Sequence, residues 1–110
     1  MLEILKFVVK EGTGKNAAVE GFDVAGKTGT AQKYISKTKS YSKTEFVSSF
    51  IGYAPADAPR LVILVMIDNP KEVHWGSVVA APVFREIAKK SLRYLNVPSS
   101  KERVFILDRA

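Results

Sequence analysis

The chain has 110 residues, a formal net charge of +6 at pH 7 and no cysteine, which suits one domain and excludes disulfides, thiol nucleophiles and thiolate metal sites. The basic balance predicts a solvated positive surface, with an anionic cell surface or a nucleic acid as the alternative partners, and the single His74 cannot form a metal cluster. No apolar run approaches the roughly 18 residues that cross a bilayer, and charges interrupt residues 1–6, so we expect neither a membrane span nor a signal peptide.

The first half of the chain is predicted to contain one helix and two strands. Apolar residues recur at helical spacing over residues 2–11, which predicts an N-terminal helix that stops at Gly12. Residues 24–32 have the composition of a strand. Residues 34–43 are rich in Ser, Thr and Lys, so we expect a long solvated connection there, followed by a second strand at residues 45–53.

The second half is predicted to contain a strand and a long helix. Two prolines favour a turn over residues 54–59, and the apolar run at residues 61–67 predicts a third strand that is buried on both faces, central in a larger sheet with helices on both sides. A helix is expected to begin at Pro82 and to be closed by Pro98. Residues 104–107 are either a short strand or a docked tail. The predicted buried stripe of the helix consists of Phe84, Ile87, Ala88, Ser91, Leu92 and Leu95.

These elements predict an α+β fold. Three strands joined in sequence form an antiparallel meander, and it is flanked by the N-terminal helix and the long C-terminal helix. A sheet of this kind that lacks neighbouring strands exposes an edge and an apolar face. We therefore expect self-association, as a homo-oligomer through the exposed sheet edge, or insertion against a partner.

The first predicted strand carries the tetrapeptide Lys27-Thr28-Gly29-Thr30. Acyl transfer through a serine needs a nucleophile, a base, an oxyanion hole and a hold on the substrate's carboxylate. A strand beside the nucleophile can supply the last two, because its backbone N–H groups can face the oxyanion while hydroxyl and ammonium groups bind the carboxylate. The tetrapeptide alone is a weak signal, since a plain strand with a bulge has the same letters.

Further segments follow the same order as in one known family. They are Gly12-Thr13-Gly14, residues 49–55, residues 59–68, Trp75-Gly76 and residues 80–87. With the Lys-Thr-Gly element of the penicillin-interacting serine transferases, this series resembles the C-terminal part of the transpeptidase domain of class B penicillin-binding proteins, which include the division and elongation transpeptidases. The resemblance covers residues 1 to about 96. It implies a partial penicillin-binding-protein/β-lactamase-like transpeptidase fold, with residues 1–98 as a segment of that domain and residues 99–110 as a tail.

The resemblance also implies a role for each residue of the strand. Lys27 would lie near the nucleophile and help to hold the serine of the family's second motif. Thr28 and Thr30 would bind the carboxylate of a peptidoglycan stem peptide or a β-lactam, and the Thr30 N–H would form half of the oxyanion hole. Gly29 would give the substrate clearance, and Gln32 would lie further along, near the cleft. The alternative for each is a solvent-facing strand residue. The family needs no metal and no organic cofactor.

The family's nucleophile is not found in this chain. Ser36-Lys37-Thr38-Lys39 and Ser40-Tyr41-Ser42-Lys43 match Ser-x-x-Lys, but about one match is expected by chance and both follow the Lys-Thr-Gly element. No Ser-x-Asn occurs, and Tyr94-Leu95-Asn96 falls on the predicted helix. We reject all three as catalytic motifs. The isolated chain is therefore predicted to be inactive.

The remaining expectations concern location, partners and rival functions. The resemblance implies an intact protein that is anchored in the cytoplasmic membrane with this domain on the outer side, where the remainder of the transpeptidase domain is its partner. The rivals are a non-catalytic binding module or one half of a split enzyme, and a basic nucleic-acid binder that no recognised fingerprint supports. His74 and Trp75 are expected to form a packed corner. The lysines at positions 33, 37, 39 and 43 indicate a solvated loop, and the alternative is that they bind anionic polymers.

Overall fold

The computed structural model describes residues 2–71 and 75–99. In chain order its elements are α1 (Leu2–Lys10), a short 3-10 helix (Lys15–Ala17), β1 (Ala25–Ile35), β2 (Ser40–Ala54), β3 (Leu61–Asp68), α2 (Gly76–Val79) and α3 (Ala81–Tyr94). The predicted α+β architecture is confirmed, while the two shortest helices were not predicted. His74, the segment 104–107 and the tail after Ser99 lie outside the described residues.

The three strands form one antiparallel sheet in the order β1-β2-β3. Thr28 lies opposite Phe50, which in turn lies opposite Val65, and residues directly opposite each other share a face of the sheet. The face that carries Phe50 is called the inner face, because α3 covers it. The face that carries Ile51 and Leu64 is called the outer face.

The core lies between the inner face and α3. Phe50 and Phe84 are fully buried, and their ring centroids are 4.7 Å apart. Ala88 and Leu92 continue the same row of α3, one turn apart, and are also fully buried. The predicted stripe was too wide: Ile87 and Leu95 are 42% and 38% exposed, because α3 contacts the narrow sheet along this single row.

The prediction that β3 is buried on both faces is wrong for the described chain. β3 is an edge strand, and its side chains alternate between covered and exposed. Val62, Leu64 and Met66 are 72%, 56% and 63% exposed on the outer face. The apolar run could be covered on both faces, but α3 covers only one. Within the described ranges, no helix is long and apolar enough to cross a bilayer.

The predicted solvated connection at residues 34–43 is also wrong, because β1 and β2 continue as a two-stranded ribbon. β3 ends opposite Val47, so β1 residues 32–35 run about 13 Å past the three-stranded sheet before the turn at residues 36–39. A bulge between Gln32 and Tyr34 shifts the register. We call residues 33–46 the β1–β2 ribbon. Tyr and Thr favour strands, and this preference outweighs the polar composition that suggested a loop.

Candidate active-site strand

The tetrapeptide lies on a strand, as predicted, and this strand, β1, is at an edge of the sheet. Lys27 and Thr30 are exposed, and Thr28 and Gly29 are half-buried. β2 is the only neighbour of β1 among the described strands, so alternate backbone groups of β1 point away from the sheet. The strand therefore offers a row of backbone and side-chain polar groups along an open edge rather than inside a sealed core.

The Lys27 side chain bends around this edge. Its Nζ donates to the Thr28 carbonyl at 3.2 Å and lies 3.4 Å from Thr28 Oγ1, although successive side chains of a strand point to opposite faces. The Thr28 carbonyl must therefore face the open edge. Because backbone direction repeats every second residue in an antiparallel pair, the Thr30 N–H faces the same edge.

The two threonine hydroxyls are held by the loops on either side of the strand. Thr28 Oγ1 donates to Thr13 Oγ1 at 3.3 Å, and the Gly76 N–H donates to Thr30 Oγ1 at 3.2 Å. Asn16 Nδ2 donates to the Ser77 carbonyl at 2.6 Å, which ties the short 3-10 helix to α2. Because Thr30 Oγ1 accepts from a backbone donor, its own hydroxyl proton is left to donate to another acceptor, such as a carboxylate.

Gly76 lies directly on the backbone of the β1–β2 pair. A Cβ atom at Gly76 would stand 2.5 Å from the Ser49 carbonyl oxygen and 2.8 Å from that of Gly29, so only glycine permits this approach. Gly76 had no predicted role, since its hydrogen bond to Thr30 joins residues that are 46 positions apart. The neighbouring Trp75 is 58% exposed, so the predicted packed corner is wrong for this residue.

Gly29 and Gln32 complete the predicted set. A Cβ at Gly29 would meet Ser49 Oγ at 2.6 Å on the outer face. Gln32 is exposed and shares a face with Thr28 and Thr30, two positions beyond Thr30 and next to the bulge. The structure thus places all five residues on one strand. The clearance predicted for Gly29 and the cleft position predicted for Gln32 stay predictions.

The rejected serine motifs lie away from this strand segment. Residues 36–39 form the turn of the ribbon and residues 40–43 begin β2, so they are separated from Thr30 by about 16 Å of extended strand. Tyr94 is 85% exposed at the end of α3, and Asn96 has a φ of 57°, which is typical of a helix terminus. Among residues 2–71 and 75–99, no group of three or more acidic or histidine side chains could hold a metal ion.

The hydrogen bond from Gly76 to Thr30 can be tested by removing its acceptor. Thr30→Val keeps the shape of the side chain and is expected to lower the free energy of unfolding by about 0.5–1.5 kcal/mol, because the Gly76 N–H loses its partner. Thr30→Ser keeps the hydroxyl and serves as the control. Denaturant unfolding and the hydrogen-exchange rate of the Gly76 amide measure the change; equal exchange in both variants would contradict the bond.

Comparison with known proteins identifies relatives of the chain. Residues 1–89 match the family model of the penicillin binding protein transpeptidase domain. Stage V sporulation protein D of Bacillus subtilis (strain 168) is 50% identical over 101 residues, which are 91% of this chain and 15% of that protein. Probable peptidoglycan D,D-transpeptidase PenA of Neisseria flavescens is 46% identical over 91 residues, which are 82% of this chain and 22% of that protein.

Solved structures agree with this assignment. The transpeptidase domain of Burkholderia pseudomallei penicillin-binding protein 3 superimposes with a TM-score of 0.78 at 42% identity, over 90% of this chain and 30% of that chain. The chain thus spans less than a quarter of the length of the two curated relatives. With its motif-bearing edge strand, its fold and these relatives, the chain belongs to the penicillin-binding protein transpeptidase family, as part of a class B transpeptidase domain.

Proposed function

We propose that this chain forms one wall of the active site of a peptidoglycan D,D-transpeptidase, where β1 holds the acyl donor. One observation carries the proposal: the Lys27 ammonium, the Thr28 carbonyl and the Thr30 hydroxyl belong to four consecutive residues of the edge strand β1. Positive charge and hydroxyl donors suit a terminal carboxylate. Edge-facing N–H groups suit an oxyanion.

In this reaction the serine comes from the remainder of the domain. Its oxygen bonds to the carbonyl carbon of the stem peptide, and the resulting oxyanion accepts hydrogen bonds from the Thr30 N–H and from a second donor outside this chain. The C–N bond then breaks, and the serine proton passes through the base to the leaving amine. Thr30 holds the donor's carboxylate, Thr28 does so once its hydroxyl proton turns from Thr13 to the carboxylate, and Lys27 supplies positive charge beside it. A β-lactam presents the same carbonyl and carboxylate.

The exposed apolar side chains of the outer face are an argument that the remainder of the domain is the partner of this chain. Ile51 is 49% exposed there, beside the three exposed apolar side chains of β3, and the free edge of β3 can accept another strand. The matched structure contains more than three times as many residues as this chain contributes to it. The remainder of the domain is therefore the occupant that we propose for this face, in a protein anchored in the cytoplasmic membrane with this domain on the outer side, where peptidoglycan is.

Fluorescent penicillin tests the proposed function. Alone, the chain is expected to show no labelled band on a denaturing gel, because the sequence holds no nucleophile in the required position. Mixed with the N-terminal portion of a class B transpeptidase domain that bears Ser-x-x-Lys, it is expected to restore labelling of that partner. Lys27→Ala is expected to slow the restored labelling, while Lys10→Ala on the exposed side of α1 leaves it unchanged. A labelled band at the size of this chain would contradict the proposal.

A non-catalytic binding module is the second candidate. The exposed outer face favours it, since this apolar surface fits a separate binding partner as well as it fits the remainder of the domain. The mixing experiment separates the two candidates. Binding of the partner without restored labelling would favour the module.

A further inference from the structure

We infer that the end of the β1–β2 ribbon is a second contact surface, which binds peptidoglycan, a glycan polymer whose stem peptides carry free carboxylates, away from the strand edge that holds the acyl donor. The identification of this polymer as peptidoglycan rests on the proposed function. The features of the ribbon that support the contact lie outside the Lys27–Thr30 segment. They are an exposed pair of tyrosines, three lysines without ion pairs and an ordered bulge.

The charge of the ribbon is unbalanced at its free end. At the root, Lys33 Nζ binds Asp68 at 2.8 Å, and this hydrogen bond raises the pKa of Lys33. Lys37, Lys39 and Lys43 are exposed, and none has an ion pair within the described part of the chain. Glu45 is the single carboxylate in residues 33–46. The free end therefore carries excess positive charge that suits a polyanion.

Two aromatic rings lie among these charges. Tyr34 and Tyr41 are paired across the strands, with ring centroids 5.5 Å apart at an interplanar angle of 70°. They are 57% and 64% exposed. A tyrosine offers an apolar ring and a hydroxyl together, which suits sugar rings that carry both C–H and O–H groups. Ile35 is half-buried, so the end exposes no large aliphatic side chain that would favour a lipid bilayer.

On β2 the bulge consists of residues 42–45, which lie opposite Lys33, and hydrogen bonds within it hold the ribbon in a defined shape. Ser42 is 6% exposed, and its Oγ accepts hydrogen bonds from the Thr44 and Glu45 N–H groups at 3.1 Å and 2.9 Å. A surface that is already ordered loses less conformational entropy when it binds. The ribbon continues directly from β1, and Tyr34 lies about 13 Å along the strand from Thr30. A polymer bound at the ribbon would raise the local concentration of stem peptides beside the active-site edge.

Co-sedimentation of the 110-residue chain with purified insoluble peptidoglycan tests the inference. The triple variant K37Q/K39Q/K43Q is expected to bind at least about tenfold more weakly. Each lysine near a negatively charged surface adds a similar amount of binding free energy, so the three losses add up. The matched control K10Q/K89Q/K90Q removes the same charge from α1 and α3 and is expected to change binding less than about twofold. Tyr34→Ser is expected to weaken binding at high salt, where aromatic contacts persist and charge contacts are screened.

The outcomes separate this inference from the proposed function. Equal losses in the two triple variants, or no sedimentation of the unmodified chain, would overturn the inference. If single-stranded DNA competes with peptidoglycan at equal affinity, the inference is overturned in favour of a nucleic acid. If the chain binds anionic lipid vesicles as tightly as peptidoglycan, it is overturned in favour of a lipid surface. Far-ultraviolet circular dichroism verifies the fold of each variant. Penicillin labelling in the mixture should be the same with the ribbon variants, so a failure of labelling would count against the proposed function alone.

Discussion

Phe84→Ala is expected to lower the free energy of unfolding by about 3–5 kcal/mol. Phe84 is fully buried and its ring lies 4.7 Å from that of Phe50, so truncation leaves a cavity between α3 and the sheet that these rigid elements cannot close. A small domain has a total stability of about 5–15 kcal/mol. The variant is therefore expected to be partly or wholly unfolded at room temperature.

Phe7→Ala is the matched control, because the same side chain is removed where it is 62% exposed. Its expected effect is within about 0.5 kcal/mol. Urea unfolding followed by circular dichroism, at a protein concentration low enough to avoid association, measures both variants. Similar losses in the two would show that α3 does not form the core with the inner face.

Gly76→Ala is expected to have the second largest effect. The added Cβ would stand 2.5 Å from the Ser49 carbonyl oxygen, a distance that backbone atoms cannot tolerate, so α2 must move away from β1. Overpacking of this kind costs about 1–3 kcal/mol. The displacement also moves the Gly76 N–H away from Thr30 Oγ1, which accepts its hydrogen bond. The Thr30 hydroxyl therefore loses its fixed orientation.

Ser77→Ala is the control for this substitution, since the Ser77 backbone carbonyl that binds Asn16 is retained. Urea unfolding reports the cost to stability, and two-dimensional NMR of the backbone amides reports the change at Thr30. Gly76→Ala is expected to shift the Thr30 amide signal, and Ser77→Ala is expected to leave it in place. An unchanged Thr30 signal in Gly76→Ala would mean that α2 does not orient this residue.

The elements that were predicted correctly are those whose signals are local. Helical spacing of apolar residues identified α1 and α3, and an apolar run identified β3. The motif at Lys27 placed the site on a strand because its glycine, its hydroxyl residues and its setting in the chain matched a family pattern. These signals require only neighbouring residues, so tertiary structure did not overrule them.

The predictions that failed depend on what lies opposite each residue. The ribbon was missed because Tyr34 finds its partner Tyr41 across the turn, and polar composition does not show this pairing. The alternation of β3 depends on which faces the chain covers. The contact between Gly76 and Thr30 joins segments 46 positions apart, and a glycine without a turn signal gives no indication of it. The path of Lys27 around the strand edge likewise follows from the position of β1 in the sheet.

The position of α2 has a further consequence for how such a protein can change. α2 leads directly into α3 through Ala80, which is fully buried, so the donor that orients Thr30 is attached to the centre of the molecule. Substitutions that move Gly76 therefore also disturb the interior and lower stability. Variants of this segment that reorient Thr30 should need compensating substitutions elsewhere, as is common for proteins close to their stability threshold.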